Sequence, residues 1–216
     1  AATSWTDILR ADLPAAYNGL KAAAREIGGV QIQASGTIGG NLCTASPAGD
    51  SIPCLMTLNA AIELASRRGA RRLPLNEFLT GPRQTACAPD ELVTAVYVPS
   101  DAEMGVGGFE KLGARRYLVI SIAMTAARLS IADGRIGDAA ISVGACAPVA
   151  VRLTELEAGL RGMAYDMAGD FIRDSRSGIM AALSPIDDVR GTAGYRRDAA
   201  AEIVARLVER LCGEFG

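Results

Sequence analysis

Gly36-Thr37-Ile38-Gly39-Gly40-Asn41-Leu42-Cys43-Thr44-Ala45-Ser46-Pro47-Ala48-Gly49-Asp50 is the stretch around which the chain is organised. The adjacent Gly39 and Gly40 let a backbone turn with positive φ and leave no Cβ in the way. A ligand can then lie against main-chain N–H groups, and a concave row of such groups binds anions, phosphates above all. Thr37, Thr44 and Ser46 add hydroxyl donors, and Asn41 adds an amide that donates and accepts. Asp50 would repel a bare phosphate; it suits a sugar hydroxyl or a held water instead. The same residues also compose a plain tight turn, with Asp50-Ser51-Ile52-Pro53 reading as a capped helix start. Neither G-x-G-x-x-G nor the P-loop pattern is present, so a nucleotide held here is held by another fold.

Upstream of this stretch, Pro14 to Ile27 is expected to be a helix, with apolar residues at Ala16, Leu20, Ala23, Ala24 and Ile27 and a Gly28-Gly29 stop. Val30-Gln31-Ile32-Gln33 reads as a short strand leading into the glycines. Downstream, a helix is expected over 51–58 and a strand over 61–65. A basic, solvated turn follows over 67–72, Asn76 caps a turn, and a β segment runs from Leu92 to Val98. Residues 100–107 are small, polar and glycine-bearing, and read as a linker between domains at 1–99 and 108–216. Beyond it, strands are expected over 108–112, 117–131 and 136–145, the last two joined at Asp133-Gly134, a strong hairpin signal. Helices follow over 153–160, 167–183 and 199–212.

The 216 residues suffice for one large domain or two small ones. A net charge of −2 leaves no basic footprint for nucleic acid. The chain has no histidine, which removes Ser-His-Asp and Cys-His catalysis and histidine-ligated zinc or haem. Its 5 cysteines, Cys43, Cys54, Cys87, Cys146 and Cys212, include no C-x-x-C pair. That argues against a disulfide framework or an iron–sulfur site in this chain and favours a reducing, cytoplasmic compartment. Cys43 reads as a packing residue. The opening residues look like an ordinary soluble segment, and the apolar run 118–127 is too short to span a bilayer.

The wording of the central stretch goes further than its composition. Thr-Ile-Gly-Gly-Asn-Leu followed by Thr-Ala-Ser-Pro-Ala-Gly-Asp resembles the second flavin-binding loop of the FAD (medium) subunits of molybdenum hydroxylases, the xanthine dehydrogenase, carbon monoxide dehydrogenase and aldehyde oxidase family. Segments 72–81, 90–99, 110–117 and 188–197 are similar to the same family, so the likeness runs essentially end to end. It implies an α+β chain: the second lobe of a vanillyl-alcohol-oxidase-type FAD-binding domain, then a C-terminal domain with a three-stranded antiparallel sheet and helices. It further implies a non-covalent FAD, with molybdopterin and 2Fe-2S clusters in partner subunits. The activity implied is that of an oxidoreductase subunit, not active alone, passing electrons from the clusters through FAD to NAD or oxygen.

Carried over by position, Thr37, Ile38, Gly39, Gly40, Asn41 and Thr44 fall on contacts to the FAD phosphates and ribityl chain, and Asp50 on a flavin-contacting aspartate. Val93 falls on an apolar position near the ring and Lys111 on a basic residue at its edge. Tyr117 either shields a flavin face or is a core tyrosine with a satisfied hydroxyl. Arg115 and Arg116 read as solvated or subunit-facing, and the Arg190–Arg196 segment as a structural turn opening the last helix. The family's domain begins with a further lobe bearing its own glycine loop, which is not found here, so a piece of ~70 residues is expected to be missing. Two other readings stand beside this one: a flavin-free assembly module, and an unrelated enzyme using the glycine stretch for a phosphate ligand.

Overall fold

The computed structural model describes residues 1–215. Two hydrophobic cores lie on opposite sides of one antiparallel sheet, and the chain enters through helices. Helix α1 is Trp5–Arg10, α2 Asn18–Glu26, α3 Val30–Ser35, α4 Ile38–Thr44 and α5 Ser51–Thr57. A three-stranded sheet follows in the order β2-β1-β5, from β1 (Ala61–Ser66), β2 (Gly69–Pro74) and β5 (Leu92–Tyr97). Between β2 and β5 come α6 (Leu75–Phe78) and the small pair β3 (Leu79–Gly81) and β4 (Gln84–Thr85). The second half is a four-stranded sheet in sequence order, β6 (Val106–Leu112), β7 (Ala123–Ala132), β8 (Arg135–Gly144) and β9 (Val151–Arg152). It is covered by α7 (Thr154–Leu160), α8 (Ala168–Asp174), α9 (Arg176–Ala181) and α10 (Ala193–Gly213).

Alternation in β7 explains the two cores. Met124 and Ala126 face the first, with α5 and β1, while Ala123, Ala127 and Leu129 face the second, under α10. Every residue of α5 is buried, so this short helix is the plug between the sheet and the first half. Burying a leucine-sized side chain stabilises by roughly 1.5–3 kcal/mol, and Leu55 and Leu58 are both fully buried here. Glycines set the spacing: a Cβ on Gly107 would sit 2.1 Å from the Ala16 carbonyl oxygen, and one on Gly19 would sit 2.7 Å from that of Gly108. Backbone therefore rests directly on backbone where α2 crosses β6. At the β7–β8 hairpin, Asp133 and Gly134 both have positive φ, the primed-turn geometry expected of Asp-Gly.

Several expectations are corrected. Val30–Gln33 is helical, not a strand. A four-residue alternation has no sheet partner here, whereas Gln33 donates its amide to the carbonyls of Arg25 and Gly28 and its N–H to Gly29, closing a helical turn after the positive-φ Gly28. The first long helix begins at Asn18, preceded by a 3-10 turn over Ala15–Tyr17. The basic segment 67–72 turns only at Arg67-Arg68, and its remainder is β2. There Arg68, Arg71 and Arg72 pair with Asp90, Glu91 and Glu63. The second sheet has four strands, not three, because β9 pairs through Val143 and Val151. Its second strand starts at Ala123, since residues 113–122 form a loop with a positive φ at Leu118. The expected helix 167–183 is broken at Ser175, and α10 starts at Ala193, where Thr192 caps it.

Candidate functional site

The glycine stretch is not a turn but the helix α4. Thr37 is its N-cap, and its hydroxyl oxygen accepts from the Gly40 N–H at 3.1 Å. Ile38 and Leu42, one turn apart, are buried and fix the helix on the core. Gly39 and Gly40 thus take helical rather than positive φ, which corrects the reading of the pair as a turn. Gly39 is needed for close approach: a Cβ there would lie 2.8 Å from the carbonyl oxygen of Ala1. Residues 1–4 run alongside, with Ile38 donating to the Thr3 carbonyl and Gly39 to that of Ala1. Those two N–H groups and that of Gly40 already have partners, so the expected open row of main-chain donors is not what the stretch presents.

What α4 does present is a polar face. Gly40, Cys43 and Thr44 are exposed, which corrects the reading of Cys43 as a packing residue. Asn41 accepts through Oδ1 from the Ser51 hydroxyl at 2.7 Å, tying α4 to the start of α5 and leaving its NH₂ without a partner among the described residues. The Thr37 hydroxyl accepts within the chain and keeps its own proton to give. These hydroxyl and amide donors fit the phosphate and polyol part of a dinucleotide such as FAD. Such a ligand would be held by side chains more than by backbone.

Asp50 stands at the N-cap position of α5, yet its side chain makes no capping bond. Its carboxylate instead reaches across to the second half of the chain. Oδ2 accepts from Lys111 Nζ at 2.7 Å, and Oδ1 accepts from the Ser121 hydroxyl at 2.6 Å. Lys111 also donates to the Val119 carbonyl at 3.2 Å. The two charged side chains are 8% and 9% exposed, and Ser121 is fully buried. The backbone of Ser121 continues the connection, because its carbonyl accepts from Arg190 at 3.0 Å. Arg190 and the buried Arg196 share Asp188, whose carboxyl is held below the usual carboxylate range chiefly by the Arg190 hydrogen bonds. Arg196 in turn donates to the carbonyls of Ile122, Ala145 and Ile186. Beside Asp50, burial and the carboxylate both push the Cys54 thiol well above its ordinary value, so it is an inert core residue.

The structure therefore brings Asn41, Asp50 and Lys111 into one connected set and adds Ser51 and Ser121, which no sequence signal singled out. Val93 packs against the first core from β5. Tyr117 is not a core tyrosine: it is 57% exposed, with the Arg116 guanidinium 5.3 Å from its ring centroid. Lys111 also borders a cavity of about 460 Å³ shared with Phe109, Glu110, Arg115 and Arg116.

Comparison with known proteins gives this arrangement its context. A family model described as "FAD binding domain in molybdopterin dehydrogenase" matches residues 1–101. One described as "CO dehydrogenase flavoprotein C-terminal domain" matches residues 109–211. The nicotine 6-hydroxylase medium subunit of Paenarthrobacter nicotinovorans is 33% identical over 190 residues, covering 88% of this chain and 65% of that one. The carbon monoxide dehydrogenase medium chain of Afipia carboxidovorans is 31% identical over 206 residues, covering 95% and 69%. In the crystal structure of the cyanide-inactivated Cu,Mo-CO dehydrogenase, a chain 29% identical superposes with a TM-score of 0.84, covering 97% of this chain and 73% of that one. The chain belongs to the family of FAD-binding medium subunits of molybdenum hydroxylases. It spans 65% and 66% of the length of two of the curated relatives it matches, and as little as 35% of another. Among the described residues, no helix is long and apolar enough to cross a membrane.

Proposed function

We propose that this chain holds FAD non-covalently and serves as the electron-transfer subunit of a molybdenum hydroxylase. In this reading it receives electrons from 2Fe-2S clusters in one partner subunit, downstream of a molybdopterin subunit, and delivers them to NAD or oxygen. The observation that carries the reading is the polar face of α4, bearing Thr37, Asn41 and Thr44, which Asn41 ties through the Ser51 hydroxyl to the start of α5 next to the buried Asp50–Lys111 pair. Thr37 and Asn41 would donate to the phosphates and ribityl chain, and Thr44, whose own proton goes to the Gly40 carbonyl, would accept from a ribityl hydroxyl, while Ile38, Gly39 and Gly40 shape the helix that presents them. Asp50 and Lys111 would lie toward the ring, with Val93 and Tyr117 as its apolar neighbours. When bound, FAD supplies one- and two-electron transfer. The pair Asp50–Lys111 adds no net charge, so its part is orientation rather than a net field.

The test is flavin content and affinity in the native complex. Saturable one-to-one FAD binding is expected, and Asn41→Ala should weaken it about tenfold through the lost amide and the freed Ser51. Full flavin retention by Asn41→Ala would refute the site. A second reading, a flavin-free assembly module, is favoured by the occupied N–H groups of Ile38, Gly39 and Gly40; a native complex devoid of flavin would establish it.

A further inference from the structure

Asp50 forgoes the capping bond that its position offers and spends both carboxylate oxygens on groups 61 and 71 residues away. One of these, Ser121, has its hydroxyl on Asp50 and its carbonyl under Arg190, and is itself fully buried. A buried hydroxyl with a single carboxylate acceptor at 2.6 Å has one orientation, and so does the carboxylate that accepts from it. Arg190 is fixed in turn by Asp188, with contacts at 2.6 and 3.0 Å to one carboxylate oxygen. The other end of the connection is the site face itself, because Asp50 is followed directly by Ser51, whose hydroxyl donates to Asn41.

We infer that Ser121 is a positioning residue for the flavin site: held by the Asp188–Arg190 turn of the C-terminal half, it locks the Asp50 carboxylate, and thereby Lys111 and the start of α5, in the orientation that the bound cofactor meets. This rests on the FAD binding proposed above. It assigns the C-terminal half a part in flavin binding although Ser121 need not touch the cofactor. Lys111 alone constrains one carboxylate oxygen; the second oxygen, and with it the rotation of the carboxylate plane, depends on Ser121.

The experiment is a double-mutant cycle in the native complex, reading FAD dissociation constant and flavin midpoint potential. Ser121→Ala is expected to raise the dissociation constant about tenfold and to move the potential, and Ser121→Thr, which keeps the hydroxyl, to restore both. In an Asp50→Ala background, which removes the acceptor altogether, the effect of Ser121→Ala should vanish, because Ser121 acts through that carboxylate. Wild-type affinity and potential in Ser121→Ala, or a full additive loss in the Asp50→Ala background, overturns the inference. Where Ser121→Ala does not accumulate as folded protein, Ser121→Cys carries the test, its thiol being a weak donor of similar size, and wild-type values there overturn it equally. A wild-type complex that takes up no FAD overturns the proposed function itself. A wild-type complex that binds, with every Ser121 variant indistinguishable from it, overturns only the role of Ser121.

Discussion

Replacing Lys111 by Met strips the buried Asp50 of its cation while keeping most of the side-chain volume. At 2.7 Å and an effective dielectric of about 20, the two charges attract by roughly 6 kcal/mol. Most of that attraction offsets the cost of withdrawing both from water. The imbalance appears when one partner goes, because Asp50 is then left buried with only Ser121 to hydrogen-bond it. Loss of one member of such a pair costs about 3–5 kcal/mol. For a chain of 216 residues that corresponds to a fall of about 6–20 °C in Tm. The second arm is Lys111→Met combined with Asp50→Asn, where the amide oxygen still accepts from Ser121 and no charge remains; most of the stability should return. Guanidinium unfolding followed by circular dichroism reads both. A loss below about 1 kcal/mol for Lys111→Met, or a double variant no more stable than the single, would refute the view that the two halves are joined through a buried ion pair.

Two further predictions concern the scaffold. Glu91 receives two hydrogen bonds from Arg71 and one from the Ala88 N–H, and these hold its carboxyl down at about 2. A depressed folded value below an unfolded one of about 4.3 means that its contribution is complete above pH ~4.5 and is lost as pH falls toward 2. Glu91→Gln should therefore lower the denaturation midpoint at pH 7 and flatten its decline between pH 5 and 3; an unchanged acid profile would contradict this. Gly107→Ala places a Cβ 2.1 Å from the Ala16 carbonyl oxygen and should cost about 3 kcal/mol, since backbone rather than a movable side chain must yield. Gly137→Ala, where the new Cβ would lie 3.7 Å from the Ser130 carbonyl oxygen, is the matched control expected to cost less than about 1 kcal/mol by denaturant titration.

The connection between the two halves of the chain also bears on how the family's two matched regions cooperate. Asp50 lies in the first and Lys111, Ser121 and Arg190 in the second, so the polar set proposed to face the flavin is completed only when the C-terminal region packs on α5. A variant in the 188–191 turn can thus affect the site without any residue of that turn belonging to α4.

Local chemistry was enough to read much of the chain from its sequence. The α5 start at Asp50-Ser51-Ile52-Pro53, the strand β1, the Asp133-Gly134 turn and the periodicity of α7 and the body of α10 depend on residues within a few positions of one another. The wording of residues 36–50, with the similar segments after it, likewise pointed to the family. Where the local signal was ambiguous, tertiary structure decided. Val30–Gln33 alternates too briefly to choose between strand and helix, and with no strand to pair it became α3. Gly39 and Gly40 suit a turn as well as a helix; the packing of Ile38 and Leu42 and the passage of residues 1–4 over Gly39 selected the helix. Tyr117 carries no local mark of exposure and was exposed by the loop that precedes β7. The partners of Asp50 could not be read at all, because separations of 61 and 71 residues leave no periodicity to detect. A hydrogen bond forms wherever folding brings donor and acceptor to within 3 Å, and that proximity is a property of the packed sheet and helices, not of any window of the sequence.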